Sequence, residues 1–288
     1  MLTILGLMAA CAMPPTPLPA QAPATPVQMV APVPDRADRL WEVLQLADLM
    51  PLLQQEAVSE AARMEAEGLI AGGGLPWARV VERIHQPDRM EALFREGLGE
   101  AMARAEPATI DRGLAFHASG VGRRVVGLEI SARRALQEDG VEDQARAAFA
   151  QGYAADQPRA EAIARMIDEA DMVAPNVAGG LNAAIAFSRG YAAAGGFDMP
   201  PDDRQMMSDA WAQRDQIEAE ATAWLQGFLM LAYGPLEDAA LSDYARHVAS
   251  PEGQALSQLL FAGFDRVFAQ TSYDMGVAAA LRGQGQQL

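Results

Sequence analysis

Three histidines, His85, His117 and His247, are the residues in this chain best suited to acid–base or metal chemistry. None belongs to a His-x-x-His or His-Glu-x-x-His pair, and no cysteine stands near them, so their spacing predicts no zinc site. His117 and His247 each fall just before a Ser-x-x-Gly, one place out of register with each other, and capping or surface roles are expected for both. A site assembled in space from the two, with a carboxylate, is the one route left to an enzyme. Paired carboxylates such as Glu65 with Glu67 and Glu218 with Glu220 are two residues apart, which on a helix points them to different sides, as on solvated faces. Glu129 and Arg133 are four apart in the favourable order and predict a surface ion pair.

Other chemistries are excluded by residue type. All 22 basic residues are Arg, so no Schiff-base or P-loop lysine exists. The one cysteine, Cys11, lies in the N-terminal leader. The segment Gly120-Val121-Gly122-Arg123-Arg124-Val125-Val126-Gly127 fails the Gly-x-Gly-x-x-Gly spacing of a dinucleotide loop and follows no strand. Asp198, Asp202 and Asp203 lack the glycine of an EF-hand turn and are expected to cap a following helix. A net charge of −16 argues against nucleic acid and anionic membrane surfaces as partners. No catalytic, cofactor-binding or metal-ligating residue is assigned, and no cofactor is expected.

Positioning falls to helices. Ala supplies about a fifth of the 288 residues, and apolar positions recur at three and four, which predicts an all-α helical bundle. Breakers and caps divide it near Asp35–Leu49, Pro51–Leu69, Pro76–Ile84, Asp88–Ala105, Pro107–Ala118, Ser119–Gln137 and Val141–Gly152. The pattern continues near Pro158–Val173, Pro175–Ala193, Asp202–Tyr233, Pro235–Ala249, Ser250–Thr271 and Ser272–Leu281, with a frayed polar tail from Arg282. The stripes Val121, Val125, Leu128, Ala132, Leu136 and Leu256, Leu259, Leu260, Phe264, Val267, Phe268 are expected in the core. The segment 221–233, apolar most of the way round, is either a central buried helix or the lining of an apolar pocket.

Upstream, residues 1–22 read as a signal peptide, with an apolar run of about a dozen residues and a small-x-small site at Ala20-Gln21-Ala22. No positive residue precedes that run. A second reading makes Met8-Ala9-Ala10-Cys11 a lipobox, with lipoprotein anchoring at Cys11, and a third leaves the protein in the cytosol with an apolar N-terminus. Eight prolines between Pro14 and Pro34 predict an extended spacer, of which residues 23–34 form the linker of the mature chain. The expected address is periplasmic, with no transmembrane segment in the mature chain.

The helical part also repeats. Arg36-Ala37-Asp38 with Leu40, Val43 and Leu44 lies over Arg159-Ala160-Glu161 with Ile163, Met166 and Ile167, at a shift of about 123 residues. Ile110, Ser119, Gly122, Val125 and Leu128 lie over Leu241, Ser250, Gly253, Leu256 and Leu259, at about 131. Two helical units are expected, residues 35–153 and 154–288, packed about a pseudo-two-fold axis. Ser250, Pro251 and Glu252 form a helix start, and Gly122 and Gly253 leave room for a neighbouring helix. An anion at that helix start, assisted by Arg123 and Arg124, is the functional counterpart of this structural reading.

The segment ending in Ser250-Pro251-Glu252-Gly253 resembles a family of exported bacterial proteins known only as a domain of unknown function. The mark of that family is a helix ending in an aromatic, followed by Ser-Pro-x-Gly and a second amphipathic helix. Here Val248 stands where Tyr or Phe is usual, and the first copy has Gly120 in place of Pro. The resemblance covers about sixty residues around each motif and implies an all-helical periplasmic domain without supplying an activity. The expected function is a non-catalytic binding or interaction module of the cell envelope, taking an apolar small molecule or an envelope protein. The alternative is a cell-envelope enzyme using a carboxylate with His117 or His247 at the junction of the repeats.

Overall fold

The computed structural model describes residues 35–70 and 74–285; the expected signal peptide with its cleavage site, Cys11 and the expected linker lie outside them. Helix α1 (Arg36–Val43) ends at Leu44, and Gln45 takes the left-handed conformation, φ 51, before α2 (Leu46–Ala66) begins. The first break was expected at Pro51, which instead lies inside α2. A proline there forfeits one backbone hydrogen bond and can be carried near a helix start. The left-handed residue costs about 1–2 kcal/mol, and the reversal it makes brings Leu40, Leu44, Leu46 and Leu49 into one core. A similar joint separates α8 (Pro158–Glu169) from α9 (Val173–Ala193), where Asp171 has φ 47.

Between these pairs run α3 (Trp77–Ile84), α4 (Pro87–Met102), α5 (Pro107–His117), α6 (Gly120–Ala135) and α7 (Val141–Ala154). The chain ends with α10 (Asp203–Trp211), α11 (Arg214–Tyr233), α12 (Asp238–Val248) and α13 (Pro251–Gly283). The described residues contain no strand, so the protein is all-α, and none of their helices is long and apolar enough to cross a membrane.

Two further boundaries differ from expectation. The helix predicted over 202–233 is interrupted at Ala212 and Gln213, although neither is a breaker. The two predicted over 250–281 are one helix, because Ser272 does not cap but sits buried in the middle of it. Arg282 belongs to the same helix rather than to a frayed tail: it is buried and donates to Glu65 Oε1 at 2.6 Å and to the Leu75 carbonyl. Asp202 does cap α10, its Oδ1 accepting from the Gln205 amide at 2.8 Å, and Ser250 caps α13 through the Gly253 amide at 3.2 Å.

Two main cores form, and each draws on both halves of the chain. In the first, Leu40, Met50, Phe94 and Leu114 of the N-terminal helices close on Leu256, Phe264 and Val267 of α13. The second joins Ile163, Phe228, Leu241 and Tyr244 to Val125 and Ala132 of α6 and Phe149 of α7. Both predicted stripes are therefore core, and α6 is shared, since its Val126 and Ile130 face the first cluster. Each fully buried Leu or Phe contributes about 1.5–3 kcal/mol.

Backbones come closest where glycines face carbonyls. A Cβ on Gly190 of α9 would overlap the Tyr273 carbonyl of α13, and one on Gly276 of α13 would overlap the Phe187 carbonyl of α9. The Ser-x-x-Gly motifs work in the same way on a shorter scale. A Cβ on Gly122 would lie 2.7 Å from the His117 Cα, and one on Gly253 2.7 Å from the Val248 Cα, so each glycine admits the end of the helix before its own.

Candidate ligand-binding site

Helices α2 and α13 both pack on α3 and α4, and the space between their facing stripes forms a cavity of about 340 Å³. From α2 come Leu53, Ala57, Ala61 and Met64, a run at helical spacing in which two alanines replace larger residues. Helix α13 contributes Phe268, Thr271, Ser272 and Met275, spaced three, one and three apart along the opposite wall. Trp77 and Val81 of α3, with His85 at its end, complete the lining, and Trp77 is anchored where its amide donates to Glu65 Oε2 at 2.9 Å. Volume and apolar character match those of small-molecule pockets.

Trp224 of α11 and Arg133 of α6 stand on the side facing α2. Arg133 donates from Nε and Nη2 to the two oxygens of Glu56 at 2.8 and 2.7 Å, and its guanidinium lies 5.5 Å from the centre of the Trp224 ring. Glu56, Glu60 and Trp224 also line a neighbouring cleft of about 820 Å³ among α2, α7 and α11. Together with Arg133 they divide the apolar pocket from a strongly acidic groove.

Burial lowers the pKa of His85 below its ordinary value, with the hydrogen bond to the Val81 carbonyl opposing the shift. His85 Nδ1 lies 3.0 Å from that carbonyl oxygen, which can only accept, so Nδ1 carries the proton and Nε2 is an acceptor. Near neutral pH the pocket thus holds a neutral imidazole.

Elsewhere the structure brings together what the sequence left apart. Phe116 and His117 at the end of α5 meet Tyr244 and His247 of α12, with the two imidazole centres 5.0 Å apart. Glu129 of α6 accepts from the Tyr233 hydroxyl at 2.6 Å and, at 3.4 Å, from Tyr244. This corrects two expectations. His117 is buried and His247 half-buried in an aromatic cluster rather than capping a helix end at the surface. Glu129 and Arg133, 1% and 5% exposed, are no surface pair, because α11 and α2 cover the faces of α6 that carry them. Burial lowers the pKa of both histidines, that of His247 to about 4.

The acidic pairs have structural duties: Glu65 ties α2 to α3 and α13, Glu220 pairs with Arg146, and Glu218 with Arg214. The start of α13 is occupied by the protein's own groups, since Ser250 caps it and Glu252 in its first turn pairs with Arg112 at 2.8 Å, while Arg124 donates to the Pro235 carbonyl. No group of three His, Cys, Asp or Glu suited to a metal ion occurs among the described residues. In the segment 221–233, Leu225, Phe228, Leu229 and Tyr233 are core and Trp224 lines the pocket, so each of the two expectations holds for part of it.

Sequence reasoning missed the pocket. Its signal was present in Ala57 and Ala61 facing Thr271 and Ser272, small residues set into otherwise apolar stripes, but the last two suggested a helix break. No protein-family model matches the chain, and no curated protein or solved structure shows a significant similarity to it.

Proposed function

We propose that the protein is a non-catalytic binding module of the cell envelope that holds a small apolar ligand between α2 and α13. The observation that carries this is the apolar cavity of about 340 Å³ walled by Trp77, Met64, Phe268 and Met275. Bundles build such sites between facing helices, and a few polar groups at the rim fix orientation. The periplasmic address rests on residues 1–22, and the resemblance around Ser250 points the same way.

Duplication supports placing the useful surface at the junction of two units. Gly122 and Gly253 make corresponding contacts at a shift of 131, with His117 Cα and Val248 Cα. A left-handed residue also follows each opening helix, Gln45 after α1 and Asp171 after α8, three residues out of register at a shift of 123. Helix α4 packs on α13, and α11 packs on α6 and α7, so helices of each half of the chain lie against helices of the other. The pocket takes α2, α3 and α6 from one unit and α11 and α13 from the other.

Titration with octanol, followed by tryptophan fluorescence, tests the pocket, since Trp77 and Trp224 both border it. Saturable quenching or a spectral shift is expected, and Ala57→Phe, which fills the cavity, should abolish it while the circular dichroism spectrum stays helical. A response unchanged by Ala57→Phe removes the proposal. The enzyme reading takes second place: Glu129, His117 and His247 do come together, but with Glu129 and His117 only 1% and 2% exposed a substrate could reach them only if helices parted.

A further inference from the structure

The pocket has an electrically lopsided mouth. The adjoining cleft is lined by seven carboxylates against two guanidinium groups, Arg63 and Arg146. Both arginines are spoken for, Arg63 by Glu60 and Arg146 by Glu142 and Glu220. Glu138, Asp139 and Asp143, at and just beyond the turn between α6 and α7, line the cleft as well, with no ion pair among the described residues. Two carboxylates, Glu56 and Glu60, border the apolar pocket and the acidic cleft at once, and so does the ring of Trp224.

The mouth already accommodates a cation. Arg133 lies with its guanidinium over the Trp224 ring and both nitrogens on Glu56, combining an aromatic face with a carboxylate. Trp224 is itself held flat against Phe228, with ring centres 4.8 Å apart and planes within 8°. A cavity with apolar walls and an acidic, aromatic rim is complementary to a molecule with an apolar body and a positive end. An anionic end would meet the field of the cleft and be repelled.

Resting on the pocket reading above, we propose that the ligand is a cationic amphiphile, an ammonium carrying an alkyl or aryl group. Its apolar part enters between Ala57, Ala61 and Ser272, and the ammonium stays at the mouth on the acidic side, beside Glu60 and the Arg133-paired Glu56. Fatty acids and other apolar anions of the same length are disfavoured by the same charges.

The test is a comparison of octyltrimethylammonium, octanol and octanoate, each titrated into the folded full-length protein at low salt and followed by tryptophan fluorescence and calorimetry. The ammonium is expected to bind at least about tenfold more tightly than octanol, and octanoate more weakly than either, with the differences shrinking at about 0.5 M salt as screening sets in. Glu60→Gln, at an exposed position whose ion pair is with exposed Arg63, should weaken the ammonium severalfold and leave octanol unchanged. Equal affinity for all three probes overturns the cationic assignment and leaves the pocket standing. Failure of all three overturns the pocket as well. A charge preference that survives Glu60→Gln undiminished overturns the placing of the head group.

Discussion

The imidazole of His247 lies flat on the ring of Phe116, with planes 9° apart and centres separated by 3.7 Å. His117 stands against the same imidazole, and the buried Nε2 atom of His247 has no hydrogen-bond partner among the described residues. Burial and the neighbouring histidine both disfavour the charged ring, and Glu252 opposes them without prevailing, which brings the pKa to about 4. The α5–α12 contact is therefore built on neutral rings.

That contact makes stability depend on pH in a defined window. An unfolded histidine binds its proton near pH 6.5, whereas folded His247 does so only near 4, so between the two the unfolded chain holds more protons and acidification favours it. His247 is half-buried, and solvent screens part of the effect. A fall in Tm of about 2–4 °C between pH 7 and pH 5 is expected. His247→Phe, which keeps the stack and removes the titration, should flatten part of this slope in thermal melts; an unchanged slope would discard the assignment.

Gly122→Ala and Gly253→Ala should destabilise by similar amounts, about 1–3 kcal/mol, because each new Cβ meets the end of the preceding helix. Gly127→Ala, where nothing lies within 4 Å of the added carbon, serves as the control and should be neutral or stabilising. Urea unfolding of the three variants separates close approach from helix propensity.

Arg133→Met removes both hydrogen bonds to Glu56 and the cation from the Trp224 ring. A loss of about 1.5–3 kcal/mol is expected, the usual range for hydrogen bonds to a charged group. Tryptophan emission should shift as well. A variant as stable as the parent would show that the barrier between pocket and cleft rests on something else.

Cutting the chain between 153 and 154 leaves each core short of helices from the other half. The two pieces, co-expressed, are expected to copurify as one helical complex, while either alone should unfold without a cooperative transition. A piece that melts cooperatively by itself would contradict the interdependence of the cores.

Helix class, both core stripes and the caps at Asp202 and Ser250 were legible in the sequence because periodicity and capping are local. Gln45 was not, since the reversal there is imposed by burying Leu44 and Leu46 on one core rather than by a breaker. Glu129 looked solvated for a comparable reason: its hydroxyl partners, Tyr233 and Tyr244, lie more than a hundred residues away. The site was the least legible part. Thr271 and Ser272 read as an interruption of α13, and only the position of α2 opposite them turns small residues into a cavity wall.

The crossing of α13 into the first core also sets an order of events during synthesis. Leu40, Phe94 and Leu114 leave the ribosome long before Leu256, Phe264 and Val267, the residues that cover them. Contacts this distant in sequence slow folding and leave apolar surface open meanwhile. The first core therefore stays unlatched until the last helix has been made, whereas the second, which draws no residue from α13, can close once α12 is complete.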